Sequence, residues 1–297
     1  MKKLLIRLGN VDRRWIFLLI GLSVLIPLLK PKWIRIPIET TLNTQVVFDE
    51  ISKLEENDKI LISFAYGPST KPEIHPMTIA LFNQLFSKGV KVYIVSLWPD
   101  GVIMAKDAMM QILDSKVFNL EDGKHYVIFD YKVGGEIVIK NIASDFRGLY
   151  MQDINKISVA NISMMEDIKS IEDFDFVFDL SAGVPGNAEW VQYACDSKKV
   201  PLSSGCTSIM VTDAIPYVES GQLKGILAGM PGAAEYENLV YDFMINQNDN
   251  KFILNYDKIY PGKATSRMSS QSLAHVLMVL LILFGNISYY LLRKRRN

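Results

Sequence analysis

The chain has 297 residues, with 32 lysines and arginines against 32 aspartates and glutamates. That balance excludes a general nucleic-acid binder, which needs a basic excess to meet phosphates. The length allows one large domain or two small ones, and the apolar residues, 49% of the total, gather at the two ends.

The first end is the uncharged run from Trp15 to Leu29. Lys2, Lys3, Arg7, Arg13 and Arg14 precede it, and Lys30, Lys32 and Arg35 follow. A helix needs roughly 20 residues to cross a bilayer. Arg14, Lys30, Trp15 and Trp33 extend this short core by snorkelling and by sitting at the interface. No small-x-small cleavage site follows Leu29, so the segment reads as a retained anchor rather than a signal peptide. The second end, Leu273 to Leu292, holds His275 and Asn286 but no charge, and closes on Arg293-Lys294-Arg295-Arg296. Four consecutive cations read as a membrane stop.

The positive-inside rule then places both termini in the cytoplasm. The expected division is a cytoplasmic N-terminus (1–14), a first span (15–33), an extracytoplasmic domain (34–268), a second span (269–292) and a basic tail (293–297). The lipid bilayer is the expected partner. Gly21, Ser23, Gly285 and Ser288 are small enough to let spans approach closely, and Asn286 can bond across such a contact. A homo-oligomer or a membrane-protein partner would use that face.

Between the ends, Ile34, Ile36 and Ile38 begin extended, and Thr44 to Glu55 has helical apolar spacing. Strand and helix then alternate. Ile60 to Ala65 reads as a strand, Pro76 to Lys88 as a helix stopped by Gly89, and Val90 to Leu97 as a strand. A helix is expected from Val102 to Leu113, with Met104, Met109 and Met110 as packing residues. Tyr126 to Asp130 reads as a strand, and Gly134-Gly135-Glu136 opens another apolar segment. Residues 154–162 fit strand or loop. Phe174 to Leu180 is the fourth expected strand, Lys199 to Leu202 the fifth and Leu223 to Ala228 the sixth. Residues 246–258 read as a polar loop, and 260–270 as a tether to the second span. The alternation, with strands that are continuous apolar runs, predicts a Rossmann-like α/β domain: a mostly parallel sheet covered on both faces by helices and bracketed by two transmembrane helices.

One nine-residue stretch occurs twice. Ala182-Gly183-Val184-Pro185-Gly186-Asn187-Ala188-Glu189-Trp190 returns as Ala228-Gly229-Met230-Pro231-Gly232-Ala233-Ala234-Glu235-Tyr236. Both copies follow an expected strand and enter an expected helix. Proline and glutamate at these places are ordinary helix-start signals. Ligands in open α/β sheets also bind beyond the carboxyl ends of the strands, where these corners lie. In that reading, backbone N–H groups near Gly183, Gly186, Gly229 and Gly232 hold a phosphate or carboxylate. Ser181, Ser204, Thr207 and Ser208 supply hydroxyls. Glu136, Glu189 and Glu235 receive an amine or a metal, and Trp98, Trp190 and Tyr236 offer flat walls.

Several chemistries are not spelled out. No Gly-x-Gly-x-x-Gly follows the first strand, and no Walker loop is present. No zinc-type Cys/His spacing occurs. A Ser-His-Asp triad would have to use His75, expected in the first loop. A serine–lysine dyad with Ser204 or Ser208 lacks any motif. Cys195 and Cys206 are either bridged or two free buried thiols. The catalytic residues, if any, and the cofactors stay unassigned. The sequence supports a membrane-anchored domain that binds a small anionic ligand or a partner protein. An envelope-acting hydrolase or transferase using the same loops is the alternative, and a structural subunit of a membrane complex the third.

Overall fold

The computed structural model describes residues 12–31, 33, 36–247 and 262–296, with side chains up to residue 290. The expected polar loop beyond residue 247, most of the cytoplasmic N-terminus, and the side chains of the basic tail lie outside the described residues. Contacts divide the chain into two compact units: Ile38–Ala264, and the terminal segments Met1–Pro37 with Thr265–Asn297.

The terminal unit contains α1 (Arg13–Leu29) and α10 (Lys263–Arg296), which starts two residues before the boundary. Asp12 caps α1 by accepting from the Arg14 N–H. At about 1.5 Å per residue its 17 residues span about 26 Å, short of the roughly 30 Å hydrocarbon core. The stretch Lys263–Tyr290 of α10 is, among the described residues, the one helix long and apolar enough to cross a membrane. Trp15, Phe17 and Leu29 on α1 and Val276, Ile282 and Tyr290 on α10 are exposed. Ser23 and Ser288 are buried, whereas nothing lies within 4 Å of a side chain built at Gly21 or Gly285.

In the larger unit α2 (Leu42–Ser52) precedes β1 (Lys59–Ala65), α3 (Lys71–Ser87), β2 (Lys91–Ser96), α4 (Pro99–Ser115), β3 (Tyr126–Ile128) and α5 (Glu136–Leu149). Three short 3-10 turns fill Val159–Asn161, Ser163–Met165 and Ile171–Asp173, so the ambiguous stretch at 154–162 is not a strand. Then come β4 (Phe176–Ser181), α6 (Asn187–Trp190), a π turn (Val191–Cys195), α7 (Asp196–Lys198), β5 (Leu202–Cys206), α8 (Val211–Glu219), β6 (Ile226–Ala228) and α9 (Gly229–Asn246).

Local chemistry explains the boundaries. Pro99 and Asp100 open α4, where proline's missing N–H costs nothing and the carboxylate meets the helix dipole. Gly89, at φ +73°, ends α3 and turns the chain into β2. α5 is amphipathic: Val138, Ile139, Ile142, Ala143 and Phe146 are buried, and Lys140, Asn141 and Ser144 face out.

The six strands form one parallel sheet in the order β3-β2-β1-β4-β5-β6. The register sets Leu61 beside Val177, Ser63 beside Asp179 and Ala65 beside Ser181. That face carries Trp190, Phe146 and Ala214 and is covered by α5 to α8. The opposite face, with Phe64 and Phe178, packs on α3, which lies with α2, α4 and α9. Both faces are covered, which is why the strands are apolar without alternation.

The fifth strand, expected at Lys199 to Leu202, runs from Leu202 to Cys206, starting three residues later and ending four later. Ser203-Ser204-Gly205-Cys206 reads as a loop by composition, yet it is a fully buried interior strand between β4 and β6. Gly205 is required there. A side chain would stand 2.4 Å from Met77 Sδ and 3.1 Å from Leu180 Cδ2.

Candidate functional site

The strand order reverses direction between β1 and β4: the chain moves from β1 outward to β2 and β3, then returns to the other side of β1. The crevice at such a switch, beyond the carboxyl ends, is where ligands bind in this architecture. The β1 corner (Tyr66 to Thr70) and the β4 corner (Ala182 to Gly186) flank it. Trp98, on the β2 corner, reaches across the end of β1. Its Nε1 donates to the Val184 carbonyl at 3.1 Å. A side chain at Gly183 would stand 3.0 Å from its ring. The expected aromatic wall is therefore a bridge between the β2 and β4 corners.

The two copies of the repeat build different corners. In the first, helix begins only at Asn187, so Glu189 falls in the first turn and its Oε2 accepts from the Gly186 N–H at 2.7 Å. In the second, helix begins at Gly229 itself, whose φ of +58° makes the turn. A side chain on Gly232 would stand 2.8 Å from the Leu227 carbonyl carbon, so the helix start packs on β6. Glu235 thus falls in the second turn. It is buried and accepts from Thr41 N–H at 3.0 Å and Thr41 Oγ1 at 2.7 Å, holding the start of α2. The aromatics are buried on opposite faces. Trp190 Nε1 donates to Ser63 Oγ at 3.1 Å, and Tyr236 Oη donates to Gln84 Oε1.

Glu136, on α5, is exposed and lies 3.7 Å from Lys140. It faces the Tyr193 phenol, and that hydrogen bond, with the charges of Glu136 and Glu189, pushes the phenol above its ordinary range. The three glutamates therefore serve separate partners. Two sit on the side of α5 and α6, and Glu235 on the side of α2 and α9.

The hydroxyls separate as well. Thr207 is buried at the end of β5, and its N–H donates to the Ser181 carbonyl at 3.3 Å. Ser208, exposed, gives both its N–H (2.7 Å) and its hydroxyl (2.5 Å) to Glu73 Oε1. That contact closes against Gly229, where a side chain would stand 2.1 Å from Ser208 Oγ. The chain's own carboxylates thus take one donor at the β4 corner, through Glu189, and the donors of Ser208 at the β5 corner, through Glu73. At the β4 corner the N–H groups of Gly183 and Val184 have no acceptor among the described residues. Val184 beside them is 75% exposed, and Ile209 on the β5 corner is 89% exposed.

Beneath the β4 corner lies a buried polar group that composition alone does not single out. Asp179 is fully buried in mid-strand, and its Oδ2 accepts from Ser181 Oγ at 2.6 Å and Ser204 Oγ at 3.3 Å. Burial pushes its carboxyl up to about 7, against the lowering effect of the hydroxyls of Ser181, Ser63 and Ser204. Among the described residues its Oδ1 has no partner, and neither do the two amide atoms of Asn187, which is 1% exposed. The signal was an aspartate inside the otherwise apolar run Phe176-Val177-Phe178-Asp179-Leu180.

His75 is on α3 rather than in the first loop. Its Nδ1 lies 2.9 Å from Tyr66 Oη and its Nε2 2.8 Å from Asp107 Oδ2. Burial alone would raise Asp107, but Lys71 at 2.9 Å and His75 hold it below its ordinary value. The hydroxyl that meets this histidine among the described residues is a buried phenol, Tyr66, pushed above its usual range by burial, where a triad would need a serine. A cavity of about 640 Å³ adjoins it, lined by His75, Asn83, Gln111, Glu237 and Lys263. It lies among α3, α4 and α9. Its polar groups serve the packing: Lys263 Nζ donates to Gln111 Oε1, and Glu237 Oε1 accepts from the Ala264 N–H. For that reason the switch-point crevice carries more weight as a ligand site. Among the described residues no group of three or more His, Cys, Asp or Glu is placed to hold a metal. Cys195 and Cys206 are both buried and unbridged. No family model, curated protein or solved structure matches this chain.

Proposed function

We propose that this chain is a membrane-anchored binding module whose α/β domain takes a small anionic ligand at the carboxyl edge of its sheet, over the β1–β4 switch. The observation that carries the reading is the pattern of donor use at the corners. Donors at Gly186 and Ser208 are engaged by carboxylates, which supports corner chemistry suited to anions. Among the described residues the Gly183–Val184 N–H groups have no such occupant, and Trp98 bonds to the Val184 carbonyl beside them. A phosphate or carboxylate there would gain backbone hydrogen bonds and the indole face. The binding reading is preferred over acid–base catalysis because Glu136, Glu189 and Glu235 answer to different partners.

The anchoring half of the proposal is a two-span arrangement with both termini cytoplasmic and the domain outside. α10 supports it by length. α1 is short by about 4 Å of the roughly 30 Å core, a gap that Arg14 and Lys30 can cover by snorkelling. Packing of the spans against a second copy or another membrane protein belongs to the same proposal.

The test is a titration of the full chain in detergent with inorganic phosphate and with succinate, read by thermal shift. The expected result is stabilisation of the wild type by at least one anion, and a weaker effect in Gly183→Ala, whose methyl would displace the indole. Equal shifts in both proteins, or no shift in either, would overturn the assignment of the anion to this corner.

A further inference from the structure

The cavity beside His75 holds one polar side chain that the packing does not use. Asn83 is 3% exposed and lines the cavity, yet its carboxamide makes no hydrogen bond among the described residues. An amide buried without a partner loses its hydration and gains nothing in return. The next residue on the same helix shows the ordinary outcome. The Gln84 amide donates to the Phe48 carbonyl at 3.2 Å and to Ser52 Oγ at 2.9 Å, and its oxygen accepts from Tyr236 Oη.

Helix spacing builds the cavity. His75, Ile79 and Asn83 recur every four residues and so share one face of α3. Gln111 and Ser115 of α4, and Glu237 and Tyr241 of α9, repeat in the same way and line its other sides. Both α4 and α9 pack on α3. These residues all belong to the larger unit, as does Lys263, whose Nζ reaches Gln111 Oε1 at 3.3 Å. At about 640 Å³ the volume is that of a small-molecule pocket.

The lining specifies a class of molecule. His75 is committed to Tyr66 and Asp107. The lysines and carboxylates cancel, with Lys116 and Lys263 against Asp114 and Glu237. No sign of charge dominates, so the cavity does not select for an ion as the sheet edge does. Pro76, Ile79, Ile112 and the Tyr241 ring give apolar wall for a flat, apolar body. The Asn83 carboxamide offers an N–H donor and a carbonyl acceptor side by side. That pair matches a ligand edge with an acceptor next to a donor, as in the N7 and N6 amino group of adenine.

We propose that the α3–α4–α9 cavity is a second binding site, which takes an uncharged nucleoside of the adenine type and reads its edge through Asn83. It shares no residue with the proposed anion site and does not depend on an anion binding there.

The experiment is equilibrium dialysis of the full chain in detergent against adenosine and against purine riboside, which keeps the ring and the sugar but lacks the N6 amino group. The expected result is saturable adenosine binding, with purine riboside roughly tenfold weaker, as for loss of a bidentate pair. Asn83→Leu, close in size, should weaken adenosine by a similar factor and no longer distinguish the two nucleosides. Its melting temperature should hold or rise, because an unpartnered amide leaves the interior. Ile79→Trp, which fills the cavity from the α3 side, should abolish adenosine binding and serves where Asn83→Leu does not fold. No saturable adenosine binding, equal affinity for the two nucleosides, or unchanged adenosine binding in either variant overturns the proposal. A lowered melting temperature in a folded Asn83→Leu also overturns it, because the fold would then be using the amide. Excess phosphate should leave adenosine bound; displacement would put both in one site and overturn the assignment to this cavity. Adenosine binding without phosphate binding removes the anion reading alone, and phosphate binding without adenosine binding removes the nucleoside site alone.

Discussion

Replacing Glu235 by alanine separates a structural tether from a ligand-contacting residue. Glu235 is 5% exposed and makes two hydrogen bonds to Thr41, the residue that precedes α2. Hydrogen bonds to a charged group contribute roughly 1.5–3 kcal/mol each, so two would give at least about 3 kcal/mol. Thr41 is itself exposed, and water can replace part of what it loses. The expected cost of Glu235→Ala is therefore about 2 kcal/mol, or roughly 4–8 °C for a domain of this size. Glu235→Gln keeps one acceptor and should cost about half as much. Thermal unfolding of the full chain in detergent measures both. A melting temperature within 1 °C of wild type for the alanine variant would refute the tether. So would loss of phosphate binding in Glu235→Gln at unchanged stability, because that would return this glutamate to the ligand site.

Four further outcomes are expected. Asp179, whose carboxyl is raised to about 7, gives a pH-dependent stability. The folded state holds this proton more tightly than the unfolded chain does, so stability falls as pH rises from about 4 to about 7 and is level above. Three pH units correspond to at most about 4 kcal/mol, and pH-dependent melts of Asp179→Asn should lack that slope. Gly205→Ala should destabilise by roughly 1–3 kcal/mol through overpacking on Met77, with partial recovery in the double variant with Met77→Ala. Thiol titration should find Cys195 and Cys206 silent in the native protein and both reactive in denaturant, and a reactive thiol under native conditions would contradict their burial. Reporters fused to either terminus should both read as cytoplasmic; an external N-terminus would leave α10 as the only span and reverse the account of α1.

The alternation of strand and helix was legible because both faces of the sheet are covered, which makes the strands plain apolar runs. Only β5 was displaced. Its serines and glycine resemble a loop, but the hydroxyl of Ser204 is satisfied by Asp179 rather than by water, so a polar sequence can occupy an interior strand. The same pairing hid the site. Asp179, Ser181 and Ser204 are ordinary residues apart, and only the register of β4 against β5 brings them together. Glu73 was missed for a similar reason: it lies 135 residues from Ser208, and spacing along the chain carries no trace of that contact.

The repeated nine residues show where a word-level match stops being structural information. Both copies place glycine, proline, glutamate and an aromatic at equal intervals, and both follow a strand. What differs is the residue at which the helix starts. Gly229 adopts positive φ and begins the helix at once, with Pro231 accommodated in the first turn. In the first copy the chain continues through Pro185 and starts only after Gly186. Four residues of delay, at about 100° of helical rotation each, move the glutamate by more than one turn relative to the helix start. The side chain that caps one helix is therefore carried past the cap in the other, where it meets Thr41. The Gly183–Val184 donors lie within that late-starting corner. In the first copy residues 182–186 form a bend, and the Gly183 and Val184 N–H groups belong to loop backbone; in the second, the Gly229 and Met230 N–H groups belong to the first turn of a helix, where N–H groups also lack an intrahelical acceptor. If the anion binds where we propose, it binds at the one copy of the repeat whose helix starts late.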